Sequence, residues 1–116
     1  MFRKKNRREK HAIEDWMTVE EDSRNLTFRL SGELGYFAAP VLENTLQKFI
    51  ASHKNTSLWI DLSAVSAIVD SRIISIFIQA HHKAQKRRVQ LQLLGTNSDV
   101  RHVFKAVKVP ETLFTD

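Results

Sequence analysis

A chain of 116 residues, 42 % hydrophobic and 27 % charged, has the balance of one globular domain around a single buried core. It contains no cysteine, which excludes disulfides, thiolate metal sites and cysteine nucleophiles and fits a reducing cytoplasm. The net charge of +5 is held by residues 1–10, where Arg3, Lys4, Lys5, Arg7, Arg8 and Lys10 stand against Glu9 alone, and the rest of the chain is formally neutral. That distribution argues against direct nucleic-acid binding by the folded part.

Residues 1–12 accordingly read as a basic, disordered tail and residues 13–116 as the domain. Such a tail has the composition of a solvated chain end. It also has the charge to make weak contact with an anionic membrane surface through residues 1–10. His11-Ala12-Ile13-Glu14-Asp15 is polar where a signal peptide needs an apolar run, and no segment reaches the 18 or more apolar residues of a membrane span. The sequence therefore reads as soluble and cytoplasmic.

Trp16-Met17-Thr18-Val19-Glu20 has strand composition, and Asn25-Leu26-Thr27-Phe28-Arg29-Leu30 alternates apolar and polar with period two. The link Glu21–Arg24 predicts a hairpin between them. After Ser31–Tyr36 breaks the pattern, Leu42, Leu46, Phe49 and Ile50 recur at helical spacing, with Pro40 tolerated in a first turn, and predict an amphipathic helix over 38–53. Ser57–Leu62 is a nearly unbroken apolar strand, expected at the sheet centre and covered on both faces, with Trp59 in the core.

From Ser71 a second helix is predicted by Ile73, Ile74, Phe77, Ile78 and Ala84 on one face. Its closing cations, Lys83, Lys86, Arg87 and Arg88, suit the negative end of the helix dipole. Val89–Leu94 alternates and stops at Gly95. Asn97-Ser98-Asp99 then offers caps for a last helix burying Val100, Val103, Phe104 and Val107, ended by Pro110, with Leu113-Phe114 packing back. The order β-β-α-β-α-β-α implies an α/β fold: a mixed central sheet of four to five strands, an antiparallel pair at its start, and helices packed against it.

Sites for enzyme chemistry are scarce. The five histidines show no metal-ligand spacing, and three glycines cannot assemble a phosphate-cradling loop. No nucleophile–base pair emerges, so no catalytic residue, cofactor or metal is expected. Asp61 invites comparison with the phosphoacceptor of receiver domains, but the chain lacks their opening β-α unit and acidic pair, and Asp61 reads as a turn or capping carboxylate. Tyr36 and Phe37 lie in a loop without interleaved basic residues, which suits a protein contact better than base stacking.

Asp70-Ser71 places a hydroxyl at a helix start, where unpaired N–H groups and the dipole favour an anion. Either residue also serves as a plain N-cap. Leu30-Ser31-Gly32-Glu33-Leu34, Ala39-Pro40-Val41-Leu42, Leu58-Trp59-Ile60-Asp61-Leu62-Ser63 and Val69-Asp70-Ser71 together resemble the STAS family, which includes the anti-sigma factor antagonists, over roughly residues 15–115.

The resemblance implies a STAS-like single domain acting as a non-enzymatic switch, which binds an anti-sigma factor that is also a serine kinase and is released by phosphorylation. It makes Ser71 the candidate phosphoacceptor. It also makes Gly35, Tyr36, Phe37, Asp70, Ser71, Arg72, Ile73 and Ile74 the candidate partner-binding residues. This chain has Arg72-Ile73 where the family has a small residue and a glycine, and Gly35 where the family has an aspartate. The resemblance also allows an accessory subunit of a lipid or anion transporter that binds its ATPase, or a domain sensing a nucleotide or anion.

Overall fold

The computed structural model describes residues 9–22, 25–106 and 113–114. Their elements are β1 (Glu9–Glu14), β2 (Met17–Asp22), β3 (Asn25–Leu34), α1 (Ala38–Ser52), β4 (Ser57–Ile68), α2 (Ser71–Lys86), β5 (Gln90–Leu94) and α3 (Ser98–Ala106). The strands form one mixed sheet in the order β1-β2-β3-β4-β5. β1, β2 and β3 pair antiparallel, whereas β3–β4 and β4–β5 pair parallel through the crossovers α1 and α2. This is the mixed α/β architecture expected, its five strands within the four to five anticipated, with one strand ahead of the predicted element order.

The additional strand is β1, four of whose residues, Glu9–Ala12, fall within the stretch assigned by charge to the tail. Glu9-Lys10-His11-Ala12 shows no apolar alternation. β1 is specified by backbone pairing with β2, from Glu9 opposite Glu21 to Glu14 opposite Met17. The turn residues Ser23 and Arg24 lie outside the described residues, as do Val107 and Pro110.

Alternation decides which face of the sheet carries the core. Met17, Val19, Leu26, Phe28, Leu58, Ile60, Leu91 and Leu93 are buried and lie in register across the strands. Against them pack Leu42, Leu46 and Ile50 of α1, Ile73, Ile74 and Phe77 of α2, and Val100 and Phe104 of α3. Phe28 meets Phe49 edge to face at 4.9 Å, and Phe77 stacks on Phe104 at 5.9 Å. Leu113 is buried and Phe114 bridges to Leu93, so the chain does return to the sheet.

The other face departs from expectation. Trp59, expected in the core, is half-buried beside Thr27 and Gln92 on the side opposite Ile60. β4 is thus a core strand on one face only, and its row there is held by ions: Arg29 pairs with Glu20 of β2 and, at 3.3 Å, with Asp61 of β4. β4 also continues past Leu62 to Ile68. Its extension Ser63–Ile68 buries only Val65 and Ile68, too sparse a pattern to read as a strand.

His81, on the buried side of α2, has no hydrogen-bond partner for Nδ1 among the described residues. Burial, and secondarily the neighbouring His82, pushes its pKa below the ordinary 6.5. The unfolded chain therefore takes up the proton first, and stability is full above 6.5 and falls as the pH drops toward the folded value. Urea midpoints should decline between about pH 7.5 and about pH 5. His81→Leu should flatten part of that decline; an unchanged slope would remove His81 from the explanation.

Candidate functional site

Parallel strands deliver their strand-to-helix junctions to one end of a sheet, where ligands and partners of open α/β folds bind. Leu34 and Ile68 close the β3–β4 ladder side by side, and Val69 donates its N–H to the Leu34 carbonyl at 3.0 Å. The loops Gly35–Phe37 and Val69–Asp70 therefore lie against each other. A Cβ on Gly35 would stand 3.1 Å from Cγ2 of Val69, so the small residue lets the two loops close up.

Above this seam stand the large apolar side chains left exposed among the described residues: Tyr36 is 66 % exposed, Phe37 85 % and Val69 61 %. Tyr36 and Phe37 meet edge to face at 5.5 Å. Together with Pro40, Glu43, Arg72 and Ile76 they rim a shallow cleft between α1 and α2. Val69 was not singled out by sequence reasoning. Its signal was an apolar residue in a link just before an Asp N-cap.

Asp70 caps α2 by accepting the Arg72 N–H at 2.9 Å. It is also clasped by the Arg72 guanidinium, Nη2 to Oδ2 at 2.7 Å and Nε to Oδ1 at 3.2 Å. The Arg72 side chain and backbone bonds hold the Asp70 carboxyl below its usual range. The guanidinium carbon lies 4.8 Å from the centre of the Tyr36 ring, so Arg72 joins the two loops electrostatically. Ser71, first residue of α2, is exposed between these groups.

The structure therefore brings together Gly35, Tyr36, Phe37, Asp70, Ser71 and Arg72 and separates two residues from them. Ile73 and Ile74 are buried, because the apolar stripe of α2 begins in its first turn. They hold the helix start from beneath and present no surface. Ile73 fills core space.

Asp61 is committed to local structure. Its Oδ1 accepts from Ser63 N at 2.9 Å and Ser63 Oγ at 2.7 Å, and its Oδ2 from Arg29. Partial burial raises the carboxyl pKa, but the Ser63 and Arg29 bonds outweigh it and hold the group below its usual range. Asp61 lies inside β4, neither in a turn nor at a helix cap as the sequence suggests, and its carboxylate is bound by its neighbours Ser63 and Arg29. Among the described residues no cluster of histidine and carboxylate side chains could hold a metal ion, and no helix is long and apolar enough to cross a membrane.

The model of the STAS domain family matches residues 17–115. No curated protein sequence matches the chain. Among solved structures, phosphorylated SpoIIAA, a Bacillus cell fate determinant, superposes with a TM-score of 0.67 at 19 % identity, covering 86 % of this chain and 89 % of the other. An anti-sigma factor antagonist from Mycobacterium paratuberculosis gives 0.69 at 21 % identity, with 84 % and 80 % covered. SLC26A9 gives 0.59 at 16 % identity, covering 78 % of this chain but 18 % of that protein.

Proposed function

The chain belongs to the STAS domain family, and we propose that it is a non-enzymatic, cytoplasmic regulatory module whose exposed end binds an anti-sigma factor with serine-kinase activity. The observation that supports this reading is the clustering of Tyr36, Phe37 and Val69 around Ser71. Exposed aromatic side chains gathered on loops are the material of protein interfaces.

Regulation follows from where Ser71 sits. A phosphate there adds about −1.5 to −2 charges at the start of α2, attracted by the helix N-terminus but adjoining the Asp70 carboxylate. The phosphate and Asp70 then compete for Arg72. Drawing Arg72 away dissolves the clasp and takes a cation from the Tyr36 ring. A dianion beside Phe37 and Val69 also obstructs an apolar contact, so phosphorylation releases the partner.

The test is cross-linking in the native cells, identification of the partner, and affinity measurement with purified proteins. The partner is expected to be an ATP-binding serine kinase, and wild-type protein to carry one added phosphate that Ser71→Ala lacks. Phe37→Ala should weaken the complex by about 2 kcal/mol, the scale of an interface hot spot. Full affinity in Phe37→Ala would overturn the surface.

A transporter ATPase as partner, with no phosphate on Ser71, would establish the second reading, a STAS accessory subunit of a membrane transporter. The Asp70–Arg72 clasp favours that reading, because the Arg72 guanidinium is already neutralised by a matched carboxylate beside Ser71.

A further inference from the structure

We propose that the opposite end of the domain, where α1 and α2 finish, is a docking surface for the anionic headgroups of a phospholipid membrane. A groove between the two helices is lined there by Gln47, Ile50, Ala51, Lys83, Lys86 and Arg87. Among the described residues three cations and no carboxylate line it, and its floor is partly apolar. Arg87 is fixed in place, its Nε donating to the His53 carbonyl at 3.1 Å. Neither Lys83 nor Lys86 has a carboxylate within ion-pair distance among the described residues.

Complementing a helix dipole explains cations in the last turn of α2, but the last turn of α1 carries none. The cations all come from α2 and its C-cap Arg87, while α1 contributes Gln47, Ile50 and Ala51, so the groove sets a basic rim on one side against a partly apolar wall on the other. Lysine stems laid along apolar surface with their ammonium groups outward are the arrangement that snorkels into a lipid interface.

The sheet order brings a further strand start to this end. Glu9 of β1 pairs with Glu21, Asp22 with Asn25, Asn25 with Ser57, and Ser57 with Gln90. The start of β1 therefore lies at the end of the sheet where α1 and α2 terminate. In sequence, Arg3, Lys4, Lys5, Arg7 and Arg8 precede that strand. Glu21 and Asp22 line a separate depression with His53 and Lys54, so carboxylates border the groove without entering it.

A lipid surface fits better than nucleic acid. The exposed aromatic residues Tyr36 and Phe37 stand at the far end of the domain, and no ring lines the groove to stack on a base. Bound this way, the domain would hold Tyr36, Phe37 and Ser71 away from the bilayer.

The test is co-sedimentation of the full chain with vesicles of phosphatidylcholine alone or mixed with phosphatidylglycerol. Wild type should partition to the mixed vesicles only. At about 1 kcal/mol per basic residue, Lys83→Gln/Lys86→Gln should lower that partition roughly 30-fold, and Lys83→Arg/Lys86→Arg should retain it. Both pairs are exposed on α2 and leave Arg87 in place, and equal melting temperatures would confirm intact folds.

A companion variant changes Arg3, Lys4, Lys5, Arg7 and Arg8 to Gln. If it loses all binding while Lys83→Gln/Lys86→Gln binds as wild type, the groove proposal falls. Equal binding to phosphatidylcholine alone would overturn it too. So would displacement from the mixed vesicles by duplex DNA at a lower phosphate concentration than that of the lipid.

Discussion

Phe77→Ala is expected to lower the free energy of unfolding by about 3–5 kcal/mol, the range for truncating a buried phenylalanine. Phe77 has no exposed surface, stacks on Phe104 of α3 at 5.9 Å, and belongs to the α2 face that covers the sheet. Its removal leaves a cavity in the core beside Phe104. Against a total of about 5–15 kcal/mol for a domain, the loss is large enough to populate unfolded chains. Urea unfolding measures it, and a change below about 1 kcal/mol would mean that the site collapses around the gap. Phe77→Leu should cost much less.

Gly95→Ala should rank second, at about 2–4 kcal/mol. Gly95 has φ of +74°, and a Cβ there would lie 2.8 Å from Ser63 Cβ, 2.9 Å from Ser63 N and 3.0 Å from Asp61 Oδ1. Two of those atoms are hydrogen-bonded to each other, Ser63 N to Asp61 Oδ1, so neither yields without breaking the bond between them. Gly32 is the internal control: its φ is +80°, yet a Cβ would meet nothing within 4 Å. Gly32→Ala should show backbone strain alone, about 1–2 kcal/mol, and the difference between the variants isolates the overlap. Equal losses would refute the close approach at Gly95.

What was legible in the sequence depended on whether a residue answers to its local pattern or to a distant neighbour. The helix over 38–53 and the strand starting at Ser57 announce themselves because Leu42, Leu46 and Ile50, or Leu58 and Ile60, bury at fixed spacing. β1 does not, because a strand at the sheet edge can be fixed by main-chain pairing alone. Trp59 misleads: an aromatic residue in an apolar run suggests two covered faces, but its row is closed by the ion pairs of Arg29. Those pairs reach across three strands and leave no trace in local sequence.

The candidate site divides the same way. Asp70-Ser71 at a helix start and the loop aromatics Tyr36 and Phe37 were readable, and the fold joins them through the parallel ladder ending at Leu34 and Ile68. Ile73 and Ile74 belong to the partner-binding set that the resemblance implies, yet they also fall on the apolar face that helical spacing predicts. The apolar face prevails, and both are buried beside Phe77, three and four residues on. The contact of Arg72 with Tyr36 needed the third dimension.

The parallel pairing of β3 with β4 has a consequence for the order of folding. Arg29 and Asp61, facing each other across that ladder, are 32 residues apart in the chain, and closing so long a loop costs entropy before any rung repays it. The β1–β2–β3 meander needs only short closures. During synthesis it can form while α1 is still emerging, exposing Leu26, Phe28 and Leu30 until β4 and the helices arrive. The rate-limiting event is then the docking of β4 onto β3. Substitutions in that ladder should slow refolding, whereas those in β1 should chiefly hasten unfolding.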